Sequence, residues 1–141
     1  MINIYIDTSG SMTEMGKDSA ILYIAKSIQD YCKFHSIETQ FLYLNGEKID
    51  KLEDIKYSND RSLNIKNILE KNILLSDSLF EGKENIFDVS ISIGIDADLS
   101  RLNKISKKVF SNDNILTALE YFIFHYQMDS INITEEDEDE W

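Results

Sequence analysis

Two short apolar runs, each halted by an aspartate, set the frame for this chain. Residues Ile2–Ile6 (INIYI) run into Asp7, and residues 72–76 (NILLS) run into Asp77. Runs this short and this rich in β-branched side chains read as buried strands. The stretch 8–16 (TSGSMTEMG) is small, polar and glycine-containing, so it reads as a loop.

The remaining periodicities alternate in type. A helix is predicted over 17–35, with Ile21, Ile24, Ala25, Ile28, Tyr31 and Cys32 on one apolar face and Lys17, Lys26, Gln29, Asp30 and Lys33 mostly away from it. A strand follows at 39–44. Asn45-Gly46 then signals a two-residue hairpin, with a polar return strand over 47–52 at a sheet edge. Residues 53–61 show no regular pattern, and a short helix is predicted over 62–71 around Leu63, Ile65, Ile68 and Leu69. A third central strand is predicted over 85–95. A helix over 98–107 should turn Leu99, Leu102 and Ile105 inward, and Val109-Phe110 forms a short last strand. A closing helix over 113–126 presents Leu116, Leu119, Phe122, Ile123 and Tyr126. This order predicts an α/β fold: a three-layer α/β/α sandwich with a mostly parallel sheet and one antiparallel edge strand. Ligands on such sheets bind outside the carboxyl ends of the strands, where Asp7 and Asp77 stand.

Composition narrows the function classes. A length of 141 residues suits one domain. We expect a folded body over 1–130 and a solvated, disordered acidic tail over 131–141. The net charge is −12, of which residues 135–140 supply six negative charges, and an acidic chain of this kind repels nucleic-acid backbones. No apolar run reaches the roughly 18 residues of a membrane span, and the first residues lack a signal-type pattern. Cys32 is the one cysteine, so no intrachain disulfide forms, and a cytoplasmic setting is expected.

The chemistry is concentrated in D-T-S-G-S. Alternate residues of an extended loop point the same way, so Asp7, Ser9 and Ser11 can converge, with Gly10 easing the turn. One carboxylate and two hydroxyls form a hard oxygen site suited to Mg²⁺ or Mn²⁺. A second carboxylate from the neighbouring strand would be Asp77. The competing structural reading makes Asp7 a turn or helix-capping residue.

IYIDTSGSM resembles the opening of a von Willebrand factor A (vWA) domain, whose metal-ion-dependent adhesion site begins D-x-S-x-S. KNILLSDSLFE resembles that family's strand ending in T-D-G. VSISIGIDADLSRLNKISKKVFSNDNILTALEYF resembles its closing strand–helix–strand–helix, most of all in the bacterial tellurium-resistance type. The resemblance covers residues 2–128 and implies metal ligation by Asp7, Ser9, Ser11 and Asp77. The family's middle-loop threonine has no direct counterpart; Ser62 is the first substitute and Ser58 the second, and Ser78 replaces the glycine of T-D-G. The resemblance further implies divalent-cation-dependent recognition of a protein partner offering Asp or Glu, with an ATPase or a kinase as candidate partner.

Two other functions compete. A metal-free scaffold would keep the fold with an eroded site and bind through its helices or its acidic tail, which ends in Trp141 and also offers a route to self-association. A Mg²⁺-dependent phosphatase of the haloacid-dehalogenase kind would need D-x-D, but Ser9 stands at the second position, and no P-loop occurs; catalysis is therefore not expected. Asp96 and Asp98 read as turn and helix-start residues. His35 and His125 lack zinc-type neighbours. Met12 and Met15 flank the loop as either partner contacts or core residues.

Overall fold

A computed structural model describes residues 1–57, 64–65, 71–77 and 86–124. Six strands form one sheet: β1 (Ile2–Ile6), β2 (Thr39–Tyr43), β3 (Lys48–Ile49), β4 (Lys71–Ser76), β5 (Phe87–Ser92) and β6 (Ser106–Ser111). Among the described residues three helices accompany them: α1 (Lys17–Phe34), α2 (Leu99–Ile105) and α3, residues 115–124. The strand order is β3-β2-β1-β4-β5-β6. All neighbours pair in parallel except β3, which runs antiparallel to β2. The predicted α/β architecture with its antiparallel edge is thus the observed one. No helix among the described residues is long and apolar enough to cross a membrane.

The sheet is covered on both faces. One face carries Ile2, Ile4, Ile6, Ile73, Leu75 and Ile91 against α1 and α3. The other carries Tyr5, Leu74 and Phe87 against Leu102 and Ile105 of α2, with Tyr5 and Phe87 edge to face at 5.8 Å. Strands buried this way need apolar residues at successive positions, which is why β1 reads as an unbroken run. Across the three middle strands a buried amide ladder interrupts the hydrocarbon. Gln40 Nε2 donates to Asn3 Oδ1 (2.8 Å), and Asn3 Nδ2 donates to Asn72 Oδ1 (3.2 Å). These three residues stand opposite one another in register.

Several local expectations change. The hairpin turn is longer than Asn45-Gly46, because Tyr43 N donates to Glu47 O at 2.8 Å and encloses Leu44 as well. Gly46, at φ 92°, supplies the left-handed residue that such three-residue loops need. Strand β6 begins at Ser106 rather than Val109; its exposed Lys107 and Lys108 suit an edge strand and hide its length from a hydropathy reading. Leu99 and Leu116 are more than half exposed, not inward. In α3 the buried stripe is Ala118, Leu119, Phe122 and Ile123, so Leu116 falls off the face. Met12 is core and Met15 is exposed. Of the predicted helix at 62–71, residues 64–65 have no regular structure and Lys71 opens β4; its other residues, His125, Tyr126 and the tail lie outside the described residues.

Cys32 packs into the α1 face with no exposure, and burial pushes its thiol up to about 11. Native protein should therefore stay unmodified in a thiol-exchange assay at pH 8 and release one equivalent once unfolded. Rapid native labelling would contradict this burial.

Candidate functional site

The strand order places β1 and β4 side by side where the chain's path reverses, with β2 and β3 to one side and β5 and β6 to the other. Asp7 and Asp77 follow those two strands directly. This is the crevice in which open α/β sheets bind ligands.

Asp7 is fully buried. Its amide extends the ladder by donating to Leu75 O at 3.0 Å. Ile6 pairs with Leu75, so the next position opposite Asp7 is Ser76, not Asp77. Ser76 Oγ accordingly donates to Asp7 Oδ2 at 2.7 Å, and the Ser9 amide donates to Oδ1 at 2.9 Å. The second bond is the local turn that aspartate favours. It turns the chain into the 3-10 segment Gly10–Thr13, which Met12 pins by its burial. The hydroxyls of Ser9 and Ser11 consequently meet at 3.3 Å. Burial raises the Asp7 carboxyl above its ordinary value; hydrogen bonds from Ser76 and Ser9 offset part of this, and the charge of Asp77 adds to it. Among the described residues no cation pairs with Asp7.

Asp77 has a different environment. Lys17, expected to lie away from the apolar face of α1, instead stands one turn before Ile21, in line with Ile24 and Ile28 on the buried face, and is 1 % exposed. Its ammonium lies 3.1 Å from Asp77 Oδ2 and 2.7 Å from Asp96 Oδ1. Burial pulls the Lys17 ammonium down, but the bonds to Asp96 and Asp77 outweigh it, so the group is held above the ordinary lysine value. Hydrogen bonding to Lys17 in turn lowers Asp96. The lysine stem runs against Gly94, whose φ is +89° and where an added Cβ would fall 2.6 Å from Lys17 Cε. The backbone of Asp77 is tied as well, because the Asp98 amide donates to its carbonyl at 2.9 Å.

Asp96 is therefore an ion-pair residue and more than a turn residue. Asp98 stands at the helix start, as expected, and caps it by accepting from the Arg101 amide at 3.1 Å. Asp98→Ala should cost about 1 kcal/mol in chemical unfolding; no change would mean that the cap carries no stability.

Asp7, Ser9 and Ser11 are thus brought together, Asp77 stands beside them held by Lys17, and Ser62, Ser58 and Ser78 lie outside the described residues. Sequence reasoning missed Ser76, Lys17, Gly94, Asp96 and Tyr57. Ser76 had a signal, as the hydroxyl that ends the apolar run Ile73–Leu75 just before Asp77. Tyr57 is half-buried, and its hydroxyl is pushed up to about 12 by burial and by the charges of Asp18, Tyr43 and Asp7. It is a neutral phenol at physiological pH, available as a donor at the acidic rim.

The donor set is oxygen throughout, which suits a hard cation. Lys17 is shared by Asp77 and Asp96, which leaves Asp7 as the carboxylate beside the two hydroxyls. No cluster of three His, Cys, Asp or Glu able to hold a metal occurs among the described residues. No family model matches the chain, and no curated protein matches it.

Proposed function

We propose that this chain is a divalent-cation-dependent protein-recognition module. Asp7, Ser9 and Ser11 would hold Mg²⁺ or Mn²⁺, and an Asp or Glu of a partner protein would complete the shell. The observation that carries this reading is Asp7 itself: a buried carboxylate with no cation paired to it among the described residues, adjoining two converging hydroxyls. Burying a carboxylate without a counter-charge is costly, and such groups belong to functional sites more often than to scaffolds. Neutral seryl ligands leave a bound ion most of its charge, which is what an incoming carboxylate needs. Ser76 and the Ser9 amide orient Asp7, and Met12 anchors the loop that presents the hydroxyls. The vWA-like motifs D-T-S-G-S and S-D-S add support from the sequence, and an ATPase or kinase partner belongs to the same proposal.

Lys17 favours a second reading, a metal-free scaffold, because an ammonium already occupies Asp77. Titrating Mn²⁺ into wild type and Asp7→Ala, followed by water-proton relaxation, separates the two. Loose binding to the acidic residues 135–140 is common to both proteins and cancels in the comparison. A single site lost in Asp7→Ala supports the module; identical titrations favour the scaffold.

A further inference from the structure

We propose that Lys17 is a built-in cation that withholds Asp77 from a bound metal, so that Asp7 alone supplies carboxylate charge and the ion keeps a net positive charge for its partner. This rests on the metal-binding reading above and specifies how that site is tuned.

The lysine is placed by design of the backbone. Met15 and Gly16 both lie in the left-handed region, at φ 55° and 76°, and turn the chain sharply into α1. Lys17 is the first residue of that helix, its amide donating to Glu14 O at 3.0 Å. A lysine in the first turn opposes the helix dipole, so its position has to be compensated elsewhere. Compensation comes from two carboxylates on two different loops, with all three donors of the ammonium within reach of acceptor oxygens at Asp77 and Asp96. The path to them exists because residue 94 has no side chain. An ammonium so enclosed, at 1 % exposure, does the neutralising work of a monovalent ion that cannot dissociate.

The consequence is one of ligand charge. Affinity of oxygen sites for divalent ions rises with the number of carboxylates in the shell. A site with Asp7 as its lone carboxylate binds its ion weakly but leaves it electrophilic. Releasing Asp77 would reverse both properties.

The test uses Mn²⁺ alone with the full chain. In Lys17→Met, which keeps the stem and removes the charge, the Mn²⁺ Kd should fall about tenfold, equivalent to about 1.4 kcal/mol. Water-proton relaxation per bound ion should drop as Asp77 displaces a coordinated water, an effect that a purely structural role would not produce. Lys17→Met/Asp77→Asn should return to wild-type affinity. Asp77→Asn alone, which leaves Lys17 paired with Asp96, should keep the wild-type Kd within about twofold, well under the tenfold step of 1.4 kcal/mol. A tenfold loss in Asp77→Asn, or an unchanged Kd in Lys17→Met, overturns the proposal. If Lys17→Met does not fold, the Asp77→Asn result decides alone. If wild type shows no Asp7-dependent site, the metal-binding reading fails. In that case a site gained in Lys17→Met and removed by Asp77→Asn still identifies Lys17 as the built-in cation, and no gain overturns both.

Discussion

Lys17→Met is expected to lower the free energy of unfolding at neutral pH by about 3–5 kcal/mol, the usual cost of stripping one partner from a buried ion pair. Asp77 has no exposure, and its backbone is tied to the α2 cap, so it cannot swing out to water when the ammonium is gone. On a total stability of about 5–15 kcal/mol this is a large fraction. Adding Asp77→Asn to Lys17→Met removes the carboxylate charge that Lys17 neutralised and should restore most of the loss. Urea unfolding of the two variants beside wild type measures both effects. The pH dependence has a definite sign. Lys17 is held above its ordinary value of 10.5, so its contribution is complete below that value and disappears as pH rises through the native-state value. The gap between wild type and Lys17→Met should therefore be widest at neutral pH and narrow in strong alkali. A loss well under 1 kcal/mol would class the contact with exposed pairs, which are worth about that or less.

Asp7→Asn is expected to act in the opposite direction and stabilise the metal-free protein, by about 1–3 kcal/mol at neutral pH. Asparagine keeps an oxygen for the Ser9 amide and offers an amide to the Ser76 hydroxyl, while the uncompensated charge is gone. Because burial raises Asp7, the folded state prefers the protonated group. Wild type and variant should converge in acid below the ordinary value of 3.8 and separate as pH rises through the native-state value. Saturating Mn²⁺ should invert the order. An ion at one hundred times its Kd adds about 2.7 kcal/mol to the protein that binds it and nothing to the one that does not. Thermal unfolding with and without Mn²⁺ reads this directly. A metal-free Asp7→Asn less stable than wild type would show that Asp7 is a structural turn residue and would remove the main support for a cation site.

The fold was legible because its signals are local. Buried strands such as INIYI and NILLS announce themselves over five residues, and the α1 face repeats through Ile21, Ile24, Ala25 and Ile28. The D-T-S-G-S cluster was legible for the same reason: its residues are neighbours in sequence, and one turn brings them together. Lys17 was not, since its burial depends on carboxylates 60 and 79 positions away and on a glycine in a third segment. Helical periodicity puts position 17 in line with Ile21, Ile24 and Ile28 on the buried face; only the two distant carboxylates explain how a lysine can occupy it. The offset of Asp77 was hidden too, because aligning the two strand-end aspartates by eye hides the one-residue stagger that puts Ser76 opposite Asp7. Leu99 and Leu116 mark the ordinary error of a short helix, where one residue's rotation separates core from surface.

The amide ladder of Gln40, Asn3 and Asn72 has a consequence for accuracy. Strands made of isoleucine and leucine attract one another almost equally well in several alignments, since hydrocarbon contacts carry little positional information. A shift by two residues keeps the same side chains facing inward and would pass any test of hydrophobicity. It would, however, pull apart the amides of Asn3 and Asn72 in the buried centre of the sheet and that of Gln40 at its half-buried flank. A buried polar group that loses a hydrogen bond costs about 1–3 kcal/mol. The ladder therefore acts as an indexing mark in the middle of the sheet, and the strand ends inherit its setting. A site assembled from the tips of β1 and β4 is only as well aligned as this central row. Replacing Asn3 with leucine would leave Asp7 chemically intact while loosening the reference that decides which residue it meets.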